Sequence, residues 1–123
     1  MTNSQSQHMM DRLWELQASS PDIEASAVIS VDGICMASAL PTNVEESRIS
    51  AMSAAMLSLG EHFTAELGRG NLEQVFIKGE QGYIILTSIG EEAVLTTLAR
   101  QNSRPGQIFL NMRRTAIALG ALV

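Results

Sequence analysis

The stretch from Val44 to Leu67 constrains this chain more than any other, because it has clear helix ends and an interior that one small sheet cannot cover. Thr42 stands three residues before Glu45, and Asn43 three before Glu46. Either pair fits a capping box, in which a side-chain oxygen takes a free backbone N–H of the first turn and the carboxylate sits at the positive end of the helix. Gly68 supplies the stop. At 1.5 Å per residue the helix spans about 36 Å, the width of a small domain. No residue from Ile49 to Gly60 is charged, and large apolar groups recur at Ile49, Met52, Met56, Leu59 and Phe63, the spacing of one buried stripe. The positions beside them are Ala, Ser and Gly, which let a second backbone come close. A helix sheltered on two sides needs two partners, and the expected pair is the chain's own sheet and a second copy of the same helix across a two-fold axis. Ala51, Met52, Ala55, Met56, Leu59 and Phe63 would form that dimer interface. The alternative is a helix buried wholly by neighbours in its own chain.

The other limits come from length and charge. A chain of 123 residues is one domain, long enough to bury a core without staples. Its single cysteine, Cys35, allows no internal disulfide and no cysteine-based metal cluster. The first residues lack the basic end and apolar run of a signal peptide, and no stretch approaches a membrane span, so a reducing cytoplasm is the expected setting. A net charge of −5 argues against a nucleic-acid surface, although Arg100, Arg104, Arg113 and Arg114 gather near the end of the chain.

In order, Met1 to Gln7 is polar and reads as a disordered tail, with a single domain over 8–123. Met9, Leu13 and Leu16 recur at helical spacing, so His8 to Ser19 reads as a short amphipathic helix anchored by Trp14. Ala25 to Val31 and Ile34 to Leu40 are short apolar runs joined by Asp32 and Gly33, a strong signal for a hairpin with a two-residue turn. Cys35 has no basic neighbour in sequence and reads as a small packing residue. After the long helix, Leu72 to Lys78, Tyr83 to Ile89 and Ala93 to Ala99 form an antiparallel meander. The first of these carries Glu73, Gln74 and Lys78, as an edge strand should; the other two are almost continuously apolar, as central strands covered on both faces should be. Pro105 and Gly106 open a closing helix with its stripe at Ile108, Met112, Ala116, Leu119 and Val123. The expected fold is an α/β sandwich of order αββαβββα, a five-stranded antiparallel sheet with the long helix on one face and the two terminal helices on the other.

No assembled active site is visible. His62 and Glu66 could offer a metal two ligands on one helical turn, but no third accompanies them, so no metal and no cofactor is expected. The glycines of Gly68, Arg69 and Gly70 lack the spacing and the Lys-Ser or Lys-Thr of a phosphate loop. No serine lies in a nucleophile elbow. The chain reads as a binding module without catalytic residues.

With this order of elements the chain resembles the roadblock family, small α/β domains that include dynein light chains of the roadblock type and bacterial regulators of Ras-like small GTPases. The resemblance rests on Ala25 to Leu40, with Val31, Asp32, Gly33 and Ile34 at its turn, on the small-residue helix Val44 to Leu67, and on Val75 to Leu98. It implies a homodimer with long helices paired and sheets joined edge to edge, which brings Leu72, Gln74 and Phe76 into the interface. It also implies a regulatory or scaffold role on a small Ras-like GTPase. Paired helices would leave their charged ends at the rim, so the expected GTPase contacts are Glu45, Glu46 and Arg48 at one end and Glu61, His62, Glu66 and Arg69 at the other. The alternatives are a small-molecule-sensing domain, which requires an enclosed cavity, and a purely structural dimerisation domain.

Overall fold

The computed structural model describes residues 2–123, with side-chain environments from residue 4 onward. The order is α1 (Thr2–Ser19), β1 (Ile23–Ser30), β2 (Cys35–Ala39), α2 (Glu46–Glu66), β3 (Gln74–Gly79), β4 (Gly82–Ile89), β5 (Ala93–Arg100) and α3 (Pro105–Gly120). The five strands form one antiparallel sheet of order β2-β1-β5-β4-β3. As expected, β3 lies at an edge and β4 and β5 are central.

Side chains alternate between the two faces of the sheet. On one face Val28, Ile85, Ile89, Leu95 and Ala99 pack against Met9, Leu13 and Leu16 of α1 and Ile108, Met112, Ala116 and Leu119 of α3, and this is the larger core. Thr97, buried on this face, donates to Met112 Sδ at 3.1 Å. On the other face a smaller cluster of Ala27, Ile29, Leu86 and Val94 receives Leu57 of α2. Arg100 ties the ends of β1 and β5 together, its guanidinium donating to Pro21 O at 2.8 Å and lying 3.6 Å from Asp22.

Four local expectations are corrected. Helix α1 starts at Thr2, so the segment expected to be a disordered tail is helical over residues 2–7, with Gln5 donating to Leu122 O; Met1 lies outside the described residues. Trp14 is 55% exposed and anchors nothing, because it sits about 100° around the helix from its buried neighbour Leu13. Neither capping box forms: the N-cap is Glu45 without a side-chain cap bond, and Thr42 and Asn43 precede the helix. At the other end the helix does stop as expected, with Gly68 at φ 66° and the amides of Gly68 and Arg69 turned back to Ala65 O and Thr64 O.

The β1–β2 turn is the fourth. It is a three-residue loop, Val31 to Gly33, closed by Ser30 N donating to Ile34 O at 2.8 Å and Gly33 N to Ser30 O at 3.0 Å. Gly33 alone has positive φ, at 85°, where a two-residue turn would also have needed it at Asp32. A Cβ on Gly33 would sit 3.6 Å from that of Ala54, so space is available and conformation is the constraint. Gly33→Val is therefore expected to lower stability by about 1–3 kcal/mol, the scale of a side chain forced into this region. Denaturant unfolding checks this, and a midpoint equal to the parent's would show that the turn relaxes at no cost.

Candidate interaction surface

Helix α2 lies on the sheet through its small side. The residues it buries are Ser50, Ser53 and Leu57. Ser50 Oγ donates to Glu46 O at 2.7 Å, and Ser53 Oγ shares a buried 2.8 Å hydrogen bond with Thr96 Oγ1 on β5. With their hydroxyls satisfied, the two serines can be buried at little expense and their small size brings helix and sheet close together. Gly60 does the same further along, since a Cβ there would come within 2.8 Å of Leu72 Cδ2.

The large apolar stripe consequently faces away from the sheet. Met52, Leu59 and Phe63 are 63%, 62% and 64% exposed, Ala51 and Ala55 are exposed, and Ile49 and Met56 are half-buried. The stripe expected to be buried is thus uncovered in the single chain. Its lower border opens into a groove of about 360 Å³ between the N-terminal half of α2 and β3–β5, walled by Ile49, Met52 and Met56 above and by Ile77, Ile84, Leu86 and Leu98 below. Five strands spaced about 4.8 Å apart make a sheet near 24 Å wide, and one helix about 10 Å across cannot roof it. The apolar runs of β4 and β5 predict strands covered on both faces, whereas Ile84 and Leu98 line the open groove; a continuous apolar run carries no sign of which face lacks its cover.

The sheet-edge residues divide. Leu72 is half-buried against the α2 cluster. Gln74 and Phe76 project from the opposite face of β3, where Gln74 reaches Thr87 and the Phe76 ring stacks on Tyr83 and meets Phe109 edge-on, each at 5.3 Å between centroids. What β3 offers on the α2 side is its unpaired backbone edge and Val75 and Ile77, not these two side chains.

The charged residues expected at the helix ends all lie on the surface. Glu45 and Arg48 form an exposed pair at 3.7 Å beside the mouth of the groove, while Glu46 accepts from Ser38 Oγ at 3.3 Å. At the far end Glu61, His62, Glu66 and Arg69 are solvated and form no common centre. Among the described residues no group of three or more His, Cys, Asp or Glu side chains could hold a metal. No described helix is long and apolar enough to cross a membrane.

The model of the Roadblock/LC7 domain matches residues 9–99. The chain belongs to that family. The uncharacterized protein MJ0310 of Methanocaldococcus jannaschii is 33% identical over 114 residues, which span 93% of this chain and 99% of that protein. Among solved structures, MglB of Myxococcus xanthus superposes with a TM-score of 0.87 at 14% identity, covering 94% of each chain. An MglB with a tetrameric arrangement superposes at 0.88 and 17% identity, covering 96% of this chain and 89% of that one. At these identities the structural likeness is one of fold.

Cys35 sits beside the N-terminal end of α2 in this roadblock domain. Burial, and after it the negative charge of Glu46, raise its thiol pKa. The group therefore stays protonated to higher pH than a free cysteine, the reverse of what a nucleophile needs. Glu46→Gln should lower that pKa and speed alkylation of Cys35 by iodoacetamide at mildly alkaline pH, without matching free cysteine, because burial remains. An alkylation profile against pH identical to the parent's would remove Glu46 from this account.

Proposed function

We propose that this chain is a homodimeric regulatory or scaffold module that binds a Ras-like small GTPase in the cytoplasm and is not itself a catalyst. The observation that carries the dimer is the outward stripe of Met52, Leu59 and Phe63 next to an unroofed apolar groove. A second α2 laid along the first would cover both, with Ala51 and Ala55 allowing the axes to approach. The free edge of β3 would let two sheets join through backbone hydrogen bonds, with Leu72, Gln74 and Phe76 at or beside the seam. Membership in the roadblock family and the MglB-like fold support this arrangement. The GTPase contacts are assigned to Glu45, Glu46, Arg48, Glu61, His62, Glu66 and Arg69, exposed groups that remain accessible when the middle of the helix is paired. The groove is open to solvent at the mouth formed by Asn43, Glu45 and Arg48, which favours a macromolecular cover over an enclosed small-molecule site.

Ala55 is exposed in the single chain, so Ala55→Arg is compatible with the folded protomer. In the dimer it would bury an unpaired charge at a close crossing, weakening association by roughly 3 kcal/mol or more, about a hundredfold in dissociation constant. Sedimentation checks this: the parent should be a dimer at micromolar concentration and the variant a monomer. A monomeric parent would refute the dimer.

Glu45→Lys combined with Glu46→Lys should weaken binding to the GTPase, and make it less sensitive to salt, while leaving the protein dimeric. The measurement is a pull-down of Ras-like GTPases encoded beside the gene, each loaded with GTP and with GDP. Binding that survives this reversal but is abolished by Arg113→Glu with Arg114→Glu would move the GTPase to the terminal helices.

A further inference from the structure

On the face opposite α2, α1 covers β2 and β1 and α3 covers β5 and β4. By the same width argument two helices roof about four strands, and the face of β3 is left over. A second groove, of about 670 Å³, runs there between α3 and β3, with Phe109, Leu110, Arg113 and Ile117 on its helix wall and Glu73 and Gln74 on its sheet wall. Leu110 and Ile117 are 44% and 74% exposed, and with Arg113 and Arg114 between them they form one outward ridge at helical spacing.

The charge on this wall is unlike the rest of the molecule. After Glu92 the chain carries four arginines and no carboxylate side chain, although its net charge is −5. Arg100 is held by Asp22, whereas Arg113 and Arg114 form no ion pair among the described residues.

We propose that the α3–β3 groove is a docking site for an amphipathic helix of a partner protein, apolar on one face and carrying Asp or Glu along one flank. The strip left beside α3 is about one strand, roughly 5 Å, wide and is floored in part by the Phe76 ring, so a partner helix would rest against the α3 ridge and overhang β3; an apolar ridge at this spacing is what the stripe of a second helix packs against. Carboxylates on the flank nearest α3 would meet Arg113 and Arg114. Glu73 on the other wall repels acid there, so the charge pattern fixes the direction in which the helix lies. The site is on the sheet face away from α2, so the inference rests on neither the α2 pairing nor the GTPase contacts; it shares β3, and Gln74 with it, with the proposed sheet-to-sheet seam.

The test pans a displayed library of random peptides of about 16 residues, long enough for four helical turns, against the full chain. Enriched peptides should show apolar residues at helical spacing with excess Asp and Glu on one flank. Their affinity should fall about tenfold or more for Arg113→Glu with Arg114→Glu and, separately, for Ile117→Ser. Peptides with those acids changed to Lys should regain binding to the arginine-reversal variant. All three substituted side chains are exposed, and unchanged melting would confirm that the fold is kept. An empty selection, enriched peptides without acidic excess, or undiminished binding to both variants would overturn the proposal. So would Ile117→Ser sedimenting at a smaller mass than the parent, because a second copy of this chain would then be the occupant.

Discussion

Three helices cannot cover both faces of a five-stranded sheet, and the surface of this domain follows from that shortage. One face carries α1 and α3 and holds the larger core; the other carries α2 alone. The sheet is nevertheless apolar on the α2 side out to Ile77 and Ile84 on β3 and β4. Exposed apolar area of this kind disfavours an isolated chain in water at roughly 25 cal/mol per Å². The deficit is built in by strand number, and repacking the chain's own core cannot remove it.

The way α2 is seated enlarges the deficit. Had the stripe of Ile49, Met52, Met56, Leu59 and Phe63 faced the sheet, the groove would be partly filled and the outside of the helix would be small and polar. Instead Ser50, Ser53 and Leu57 face inward, and the Ser53–Thr96 hydrogen bond fixes the helix rotation from within the buried layer. A polar pair buried at the contact favours this rotation, since turning the helix would leave Thr96 unpaired at a cost of about 1–3 kcal/mol. The sheet thus keeps the less apolar side and leaves the stronger one for another surface.

These particulars explain what could be read in advance. The order of elements, the meander, the edge position of β3 and the stripe of α3 were legible because alternation and helical spacing report elements directly. The orientation of α2 was not, because periodicity identifies an apolar face without saying what covers it; Ser53 gave no hint of Thr96, 43 residues away. Local chemistry misled where tertiary contacts decided. Thr42 and Asn43 are good caps, yet they belong to the segment leading into α2, and the polar residues after Met1 are helical because α1 continues alongside the end of α3. Of the interaction residues, Met52, Leu59 and Phe63 belong to a stripe whose spacing predicts burial, yet they are exposed in the single chain, because a surplus of apolar groups does not say which side of α2 meets the sheet. The separation of Gln74 and Phe76 from them depended on strand register, which an edge strand with side chains of mixed polarity does not announce.

Charge then distinguishes the two faces that the helix shortage leaves open. Carboxylates predominate at the ends of α2, with Glu45, Glu46, Glu61 and Glu66, whereas α3 carries Arg113 and Arg114 and no acidic side chain. These groups lie in water and contribute little to stability, so their segregation has more consequence for what approaches than for what folds. A basic partner surface is drawn to the rim of the α2 face and an acidic one to the α3–β3 groove. The two surfaces lie on opposite faces of the sheet and meet only at the edge strand β3, where Gln74 lines the second groove. A domain of this size therefore presents two open apolar surfaces of different charge, the groove on each face fixing where a contact could form and the charged rim fixing which surface it would favour.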